Sequence, residues 1–379
     1  MSPLLRAECR VDLDAIKANV GVLAERAGSA QVMAVVKADG YGHGMVPSAR
    51  AAVNGGATWL GVTTITEALA LRAAGITTRT LAWLVGPGEP WGDAIAADVD
   101  LAAYAPWAIE EIVKAARELA RPARVHLKVD TGLGRGGATI ADWPDLVAAA
   151  LEAQAEGVLE VVGVWSHFAY ADAPGHPTVA RQITVFDEAL KVAESAGVRP
   201  EVKHLANSAA TLTLPKTHYD LVRPGIAVYG ISPVPDTASA ATLGLRPAMT
   251  VRANVVHVKR VPRGQGVSYG HQYTTDAETN LAVVPLGYGD GVPRHATNAG
   301  PVLLGGSRRV VSGRVCMDQF VLDVGDDEVV PGDDAILFGD GQAGEPLAED
   351  WARAAGTIAY EIVTRMGGRA VRTYVGESA

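Results

Sequence analysis

The sequence predicts an α/β protein: an N-terminal parallel (β/α)8 barrel of the TIM type, followed by a mostly β C-terminal domain. Three observations lead there. Between residues 31 and 230, eight short apolar or β-branched runs alternate with alanine-rich, helix-forming stretches, the pattern of repeated parallel βα units. The side chains with chemistry, Lys37, Trp83, Lys128, Asp130, His167, His204 and Arg223, all fall at or just after the C-terminal ends of those runs. That is the face on which such barrels carry their reactions. Past a Pro/Ser/Ala-rich segment at 232–247 the alternation stops, and β-rich runs broken by Gly, Asp and Pro take over. An open doubly wound sheet is the alternative for the first region.

In chain order the expected strands are QVMAVV (31–36), TWLGV (58–62), TLAWLV (80–85), VDLAAY (99–104), ARVHLKV (123–129), LEVVGVW (159–165), EVKHLA (201–206) and YDLVR (219–223). Helical patterns such as ITEALALRAAG, WAIEEIVKAARELA and ARQITVFDEALKVAESAG lie between them. The barrel is placed at 12–235 and the β domain at 240–379, with residues 1–11 forming a strand that joins the second domain. VRANVVHVKRV, NLAVVPLGYGDG, RRVVSGRVCMDQFVLDV and DDAILFG supply its strands, and PLAEDWARAAG one short helix.

Composition narrows the function. The 379 residues carry a formal charge of −9 and no Lys/Arg block, which argues against a nucleic-acid partner. No stretch approaches the roughly 20 apolar residues of a membrane span, and the N-terminal segment lacks the apolar core of a signal peptide. Cys9 and Cys316 stand far apart without a CxxC, as in a reducing compartment, and the cytoplasm is the expected location. No HxxxH or His/Cys cluster points to a metal, and none is expected; His43 reads as a loop histidine.

AVVKADGYGHG (34–44) ends an apolar strand on Lys37 and follows it with a glycine-rich turn. A solvated strand end is one explanation. The other is an amine that forms a Schiff base with a carbonyl compound, for which burial or a cationic neighbour must hold part of the population uncharged. Lowering a lysine from ~10.4 to neutrality costs about 5 kcal/mol. HLANSAAT (204–211) and RPGIAVYG (223–230) follow the seventh and eighth strands, where backbone N–H groups and a helix start build phosphate sites in such barrels. Ser208 adds a hydroxyl there and Gly225 allows close backbone approach. A capping serine and a turn glycine would explain each alone. Together with Lys37 they suggest a phosphorylated aldehyde, and pyridoxal phosphate fits that description. Arg223 can only donate, so beside the pyridine nitrogen it would keep that nitrogen unprotonated and favour simple proton removal and return. A salt-bridged strand end is its plainer reading.

Taken together, AVVKADGYGHG, LKVDTGLGRGG (127–137), HLANSAAT, RPGIAVYG, GVSYG (266–270), CMDQ (316–319) and AYEIVTR (359–365) resemble bacterial alanine racemase, a fold-type III pyridoxal-phosphate family, in the family's order from about residue 9 to 375. The resemblance implies a homodimer that interconverts L- and D-alanine and supplies D-alanine for peptidoglycan. Lys37 would hold the cofactor and act as one acid/base catalyst; Tyr269, supplied by the neighbouring subunit, would be the catalyst on the opposite face. Tyr41, Ser208, Gly225, Ile226 and Tyr360 resemble the phosphate contacts, Arg223 the pyridine-nitrogen partner, and Trp83 and His167 further cofactor neighbours. Arg135 and the backbone of Met317 resemble substrate-carboxylate contacts. His204 would link Arg223 toward the Tyr269 phenol. Lys128 matches a lysine that is often carbamylated and then orients Arg135, although a direct pairing with Asp130 is also open. Tyr288 and Arg294 stand where relatives line the entrance.

The rival readings are a serine or broad-specificity racemase of the same fold, a non-catalytic pyridoxal-phosphate homeostasis protein, and a fold-type III decarboxylase. The extra β domain and Tyr269 weigh against the second, and Arg223 in place of an acid weighs against the third.

Overall fold

The computed structural model describes residues 6–376; residues 1–5 of the expected first strand, and 377–379, lie outside the described residues. Strand β1 (Ala7–Asp12) is followed by the alternating region, β2 (Gln31–Val35), β3 (Trp59–Val62), β4 (Arg79–Ala82), β5 (Val99–Ala103), β6 (Ala123–Lys128), β7 (Leu159–Trp165), β8 (Val202–His204) and β9 (Leu221–Val222). These eight pair in parallel in the order β8-β7-β6-β5-β4-β3-β2-β9. Asp220 N–H donates to Lys203 C=O at 3.0 Å and Arg223 N–H to Ala206 C=O at 2.9 Å, which sets β9 against β8 and closes the ring. The barrel is therefore present and the open sheet is not.

Local chemistry places the elements. β3 and β5 are buried at every position, as parallel strands covered on both faces must be. Thr64 and Glu67 form a capping box at the start of the helix Ile65–Ala73, with Glu67 N–H donating to Thr64 Oγ1 at 3.2 Å. Gly197 takes the left-handed conformation that ends Pro177–Ala196. Inside the barrel, Met33, Trp59, Leu81, Ala102, Trp165, Val202 and Leu221 form an apolar cluster separate from the larger core outside it. Asp100, His126 and His204 are buried as well.

The later strands are β10 (Met249–Asn254), β11 (His257–Val261), β12 (Gly266–Val267), β13 (Tyr273–Thr274), β14 (Thr279–Val284), β15 (Pro301–Leu304), β16 (Ser307–Val310), β17 (Phe320–Gly325), β18 (Asp334–Phe338) and β19 (Val371–Val375). They form a six-stranded sheet, β16-β15-β18-β10-β1-β19, a three-stranded sheet, β11-β14-β17, and the pair β12-β13. β1 thus sits in the sheet of the later region, antiparallel to β10 and parallel to β19.

Two features differ from expectation. AYEIVTR forms a second short helix, Ala359–Arg365, beside the expected one at Ala348–Ala355. Its buried residues Ala359, Ile362 and Val363 have helical spacing, a signal too short to read in isolation. The segment at 232–247 is packed rather than free. Val234, Ala240 and Leu245 are buried, and Asn19 clasps Arg246 by donating to its C=O at 2.9 Å and accepting from its N–H at 2.8 Å.

Candidate active site

Lys37 leaves β2 into a turn that a glycine-rich loop does not describe fully. Ala38, Asp39 and Tyr41 adopt left-handed φ values of 52°, as does Gly40 at 63°. That conformation costs L-residues on the order of 1 kcal/mol each, so neighbouring groups must hold it. Glu67 Oε1 accepts from Ala38 N–H and Asp39 Oδ1 from Met45 N–H, both at 2.8 Å, while Arg372 Nη1 donates to Asp39 Oδ2 at 2.7 Å. His43 is wholly buried, stacks on Tyr229, and uses Nδ1 on the carbonyls of Gly40 and Tyr41. It shapes the loop. The turn leaves the half-buried Lys37 amine 5.9 Å from the centre of the Trp83 ring. Burial and the Arg135 cation push its pKa below the usual lysine value.

Tyr41 points from this turn at the loop after β9, and a Cβ at position 225 would stand 2.3 Å from its hydroxyl. Gly225 is required by that close approach. Ser208 Oγ accepts from Gly225 N–H at 2.7 Å and Ala227 N–H at 3.3 Å. The helix Ser208–Thr213 begins there, capped by Asn207, and its first N–H groups have no intrahelical partner. Ile226 continues the same loop in a tight turn. Tyr360, from the helix Ala359–Arg365, closes this end with its ring 6.3 Å from Tyr41. Burial, with Asp172 adding to it, pushes Tyr360 up to about 12. The result is a hydroxyl and backbone N–H cradle suited to a phosphate. Gly225→Ala should therefore displace Tyr41 and weaken binding of a phosphorylated ligand about tenfold or more. A fluorescence titration checks this; unchanged affinity would take Tyr41 and Gly225 out of the cradle.

Arg223 is buried at the opposite end. Its Nη1 lies 3.0 Å from His204 Nδ1, and its Nη2 donates to Ser166 C=O at 2.7 Å and approaches His167 Nδ1 at 3.3 Å. Nε has no hydrogen-bond partner among the described residues. Burial pushes Arg223 down to about 9, which still leaves it cationic at neutral pH. Burial, then Arg223, holds His167 and His204 well below the usual histidine range, so both are neutral. His204 Nε2 is engaged by His126 Nδ1 at 2.9 Å. Both ring nitrogens of His204 are thus spent within the barrel, and it does not carry the expected link toward Tyr269; His167 is the Arg223 neighbour nearer the surface.

Lys128 lies over Trp165, with Nζ 4.5 Å from the ring centre, and Arg223 lies over the same ring at 4.9 Å. Trp165 escaped the sequence reading, although it ends a predicted strand as the other site residues do. Lys128 is not paired with Asp130. That carboxylate accepts instead from the N–H groups of Gly132, Leu133 and Gly134 at 2.9–3.2 Å. Burial, then Arg223 and Arg135, push Lys128 down to about 8. Arg135 is exposed and has no carboxylate partner among the described residues, so its charge is available to an anion.

Tyr269, Met317, Tyr288 and Arg294 form a separate group on the β region. Tyr269 is 72% exposed, Met317 54% and Tyr288 44%. Tyr288 N–H donates to Cys316 C=O and Gly289 N–H to Met317 C=O, at 3.0 and 2.9 Å. Ser268 presents Tyr269 from a conformation, φ 60° and ψ −170°, that is essentially reserved for glycine. Its hydroxyl donates to Arg314 C=O at 2.7 Å and touches Cys316 Sγ at 3.2 Å. Tyr288 and Arg294 line one cleft with Glu361 and Arg365. Among the described residues, no hydrogen bond or ion pair joins this group to Lys37 or its neighbours.

Comparison with known proteins covers both regions of the chain. The model of the alanine racemase N-terminal domain matches residues 11–233, and that of the C-terminal domain residues 248–374. A curated alanine racemase of Salinispora arenicola is 63% identical over 374 residues, 98% of this chain and 99% of its own. The solved structure of alanine racemase from Streptomyces coelicolor superposes with a TM-score of 0.98 at 59% identity, covering 99% of both chains. That of the enzyme from a D-cycloserine-producing Streptomyces lavendulae gives 0.98 at 57%, covering 99% of this chain and 98% of that one. The chain belongs to the alanine racemase family.

Proposed function

We propose that this protein is a pyridoxal-phosphate-dependent alanine racemase, cytoplasmic and homodimeric, that interconverts L- and D-alanine and supplies D-alanine for peptidoglycan. On this reading a cofactor-binding barrel, residues 12–235, is joined to a β domain, 240–379 with the N-terminal strand. The observation that carries the reading is the Lys37 amine, depressed in pKa and beside the Trp83 ring, at the end of a strand paired with β9, whose following residues supply the buried cationic donor Arg223 and, with Tyr41, Ser208 and Tyr360, the phosphate cradle at Gly225 and Ile226. Those donors and the Trp83 and Trp165 rings fit pyridoxal phosphate in charge and polarity. When bound, that group supplies an electron sink that makes a substrate Cα proton removable.

The chain's own residues do the rest. Lys37 would hold the cofactor, and its free amine would take or return the Cα proton on one face. The low pKa keeps part of it in the base form. Arg223 would be the partner of the ring nitrogen; as a pure donor it would leave that nitrogen unprotonated, which would restrain deeper electron withdrawal. Arg135 and the Met317 backbone take the substrate carboxylate. Tyr269 serves the other face from the neighbouring subunit. Its own chain leaves it exposed and apart from Lys37, which is what a residue acting in trans requires. Tyr288 and Arg294 then line the entrance.

Lys128 carries a carbamate on this reading. A neutral amine adds CO2 and releases a proton, and a group near 8 offers more neutral amine than an ordinary lysine. The negative carbamate would stand between Arg135 and Arg223 and offset their repulsion. Carbon-13 bicarbonate should label Lys128 at pH 8 and lose the label as the pH falls below about 6, where the neutral fraction drops tenfold per unit. No label at any pH would leave an ordinary lysine.

The functional test is enantiomer-resolved detection of D-alanine after pure L-alanine is incubated with purified protein and pyridoxal phosphate. Approach to equal amounts of both enantiomers supports the reading; none from folded, cofactor-loaded protein overturns the alanine assignment.

A further inference from the structure

A polar column runs from Arg223 through the otherwise apolar barrel interior, and below Arg223 its residues have no part in the reading above. Its upper end is Arg223. From there His204 Nδ1 faces Arg223 Nη1 at 3.0 Å, His204 Nε2 faces His126 Nδ1 at 2.9 Å, and His126 Nε2 faces Asp100 Oδ2 at 3.2 Å. Asp100 Oδ2 also accepts from Arg79 Nε at 3.0 Å and Oδ1 from Arg124 Nε at 3.1 Å. Asp100, His126 and His204 are each at most 1% exposed.

The two ends dictate every proton between them. Arg223 has only donors, so His204 Nδ1 must accept. A neutral His204 then carries its proton on Nε2 and donates to His126 Nδ1. His126 in turn carries its proton on Nε2 and donates to Asp100, whose oxygens accept from the two flanking arginines. Any reversed tautomer sets two donors or two acceptors face to face in a buried site, an arrangement that costs heavily.

The backbone accommodates this column. The β6–β7 register shifts between Val125 and His126, which puts Gly163 opposite His126. A Cβ at 163 would stand 2.0 Å from His126 Nδ1. The His126 ring also meets Trp59 edge-on, and His204 stacks on Trp165 at an interplanar angle of 4°.

We propose that Asp100 and His126 are positioning residues for the racemase reaction. They lock the His204 tautomer, and through it hold Arg223 with Nε aimed at the cofactor ring nitrogen. This rests on the functional reading above and deepens it, since Arg223 has no carboxylate partner of its own among the described residues and the column conducts the influence of Asp100 to it.

Neutron diffraction from the full-length protein loaded with pyridoxal phosphate tests the proton pattern without any substitution. Deuterium is expected on His126 Nε2 and His204 Nε2 and on neither Nδ1; a reversed or doubly protonated ring in either histidine overturns the lock. His126→Phe and Asp100→Asn should each lower kcat roughly 10–100-fold, as loss of an outer-shell partner does, with KM within about threefold and a shifted absorption band of the bound cofactor. The double variant should be no worse than the poorer single one, because the groups act as a unit. A purely structural role would lower the unfolding temperature while leaving kcat and the band in place, and that result overturns the proposal. If the unmutated protein does not racemise alanine, the functional reading fails, while the neutron pattern still decides whether the tautomers are locked.

Discussion

Lys37→Ala is expected to abolish racemisation, lowering the rate by more than about 10⁴-fold, because on the proposed function one side chain is both the covalent anchor and a proton-transfer group. The fold should survive. Lys37 makes no ion pair among the described residues, and its desolvated amine stands near the Arg135 cation. Removing it relieves a repulsion, so stability should change by no more than about 0.5 kcal/mol, or rise. Enantiomer-resolved assay beside thermal unfolding separates these effects. Retention of more than about a tenth of the activity, well above the range for losing a general base, would return Lys37 to a solvated strand end.

Tyr269→Phe is expected to cost 10²–10⁴-fold, the usual contribution of a positioned acid/base group. Stability should stay within about 0.5 kcal/mol, since the ring is 72% exposed in the single chain. The sharper experiment mixes the two inactive variants. Random reassortment into symmetric dimers restores about a quarter of the sites, because each mixed dimer pairs one intact Lys37 with the other chain's intact Tyr269. A mixture that stays inactive despite demonstrated subunit exchange would place both catalysts in one chain or remove Tyr269 from the reaction. The strained Ser268 backbone that presents the phenol fits a residue held for function rather than for stability.

Much of the fold was legible because its signals are local. The alternation of apolar runs with helical stretches marked all eight barrel strands, and Lys37, Lys128, His167, His204 and Arg223 stand at or just after strand ends as the alternation predicts. The signals that failed were short or non-local. AYEIVTR is too brief for its helical spacing to stand out. Ala38, Asp39, Tyr41 and Ser268 give no hint of their left-handed backbones, since none is glycine and the groups holding them, Glu67, Arg372 and Arg314, are distant in sequence.

By itself the sequence determined the barrel, the β region after it and which candidate side chains stand at the strand ends, since periodicity and residue chemistry belong to short stretches of chain. Only the tertiary structure decided what those side chains face. It set Lys128 against Trp165 and two arginines instead of Asp130, turned His204 inward to His126 and Asp100, and stood Tyr269 away from Lys37. Hydrogen-bond partners and burial depend on which strands the closed barrel makes neighbours, and residues 78 positions apart, as His126 and His204 are, meet only once it has closed.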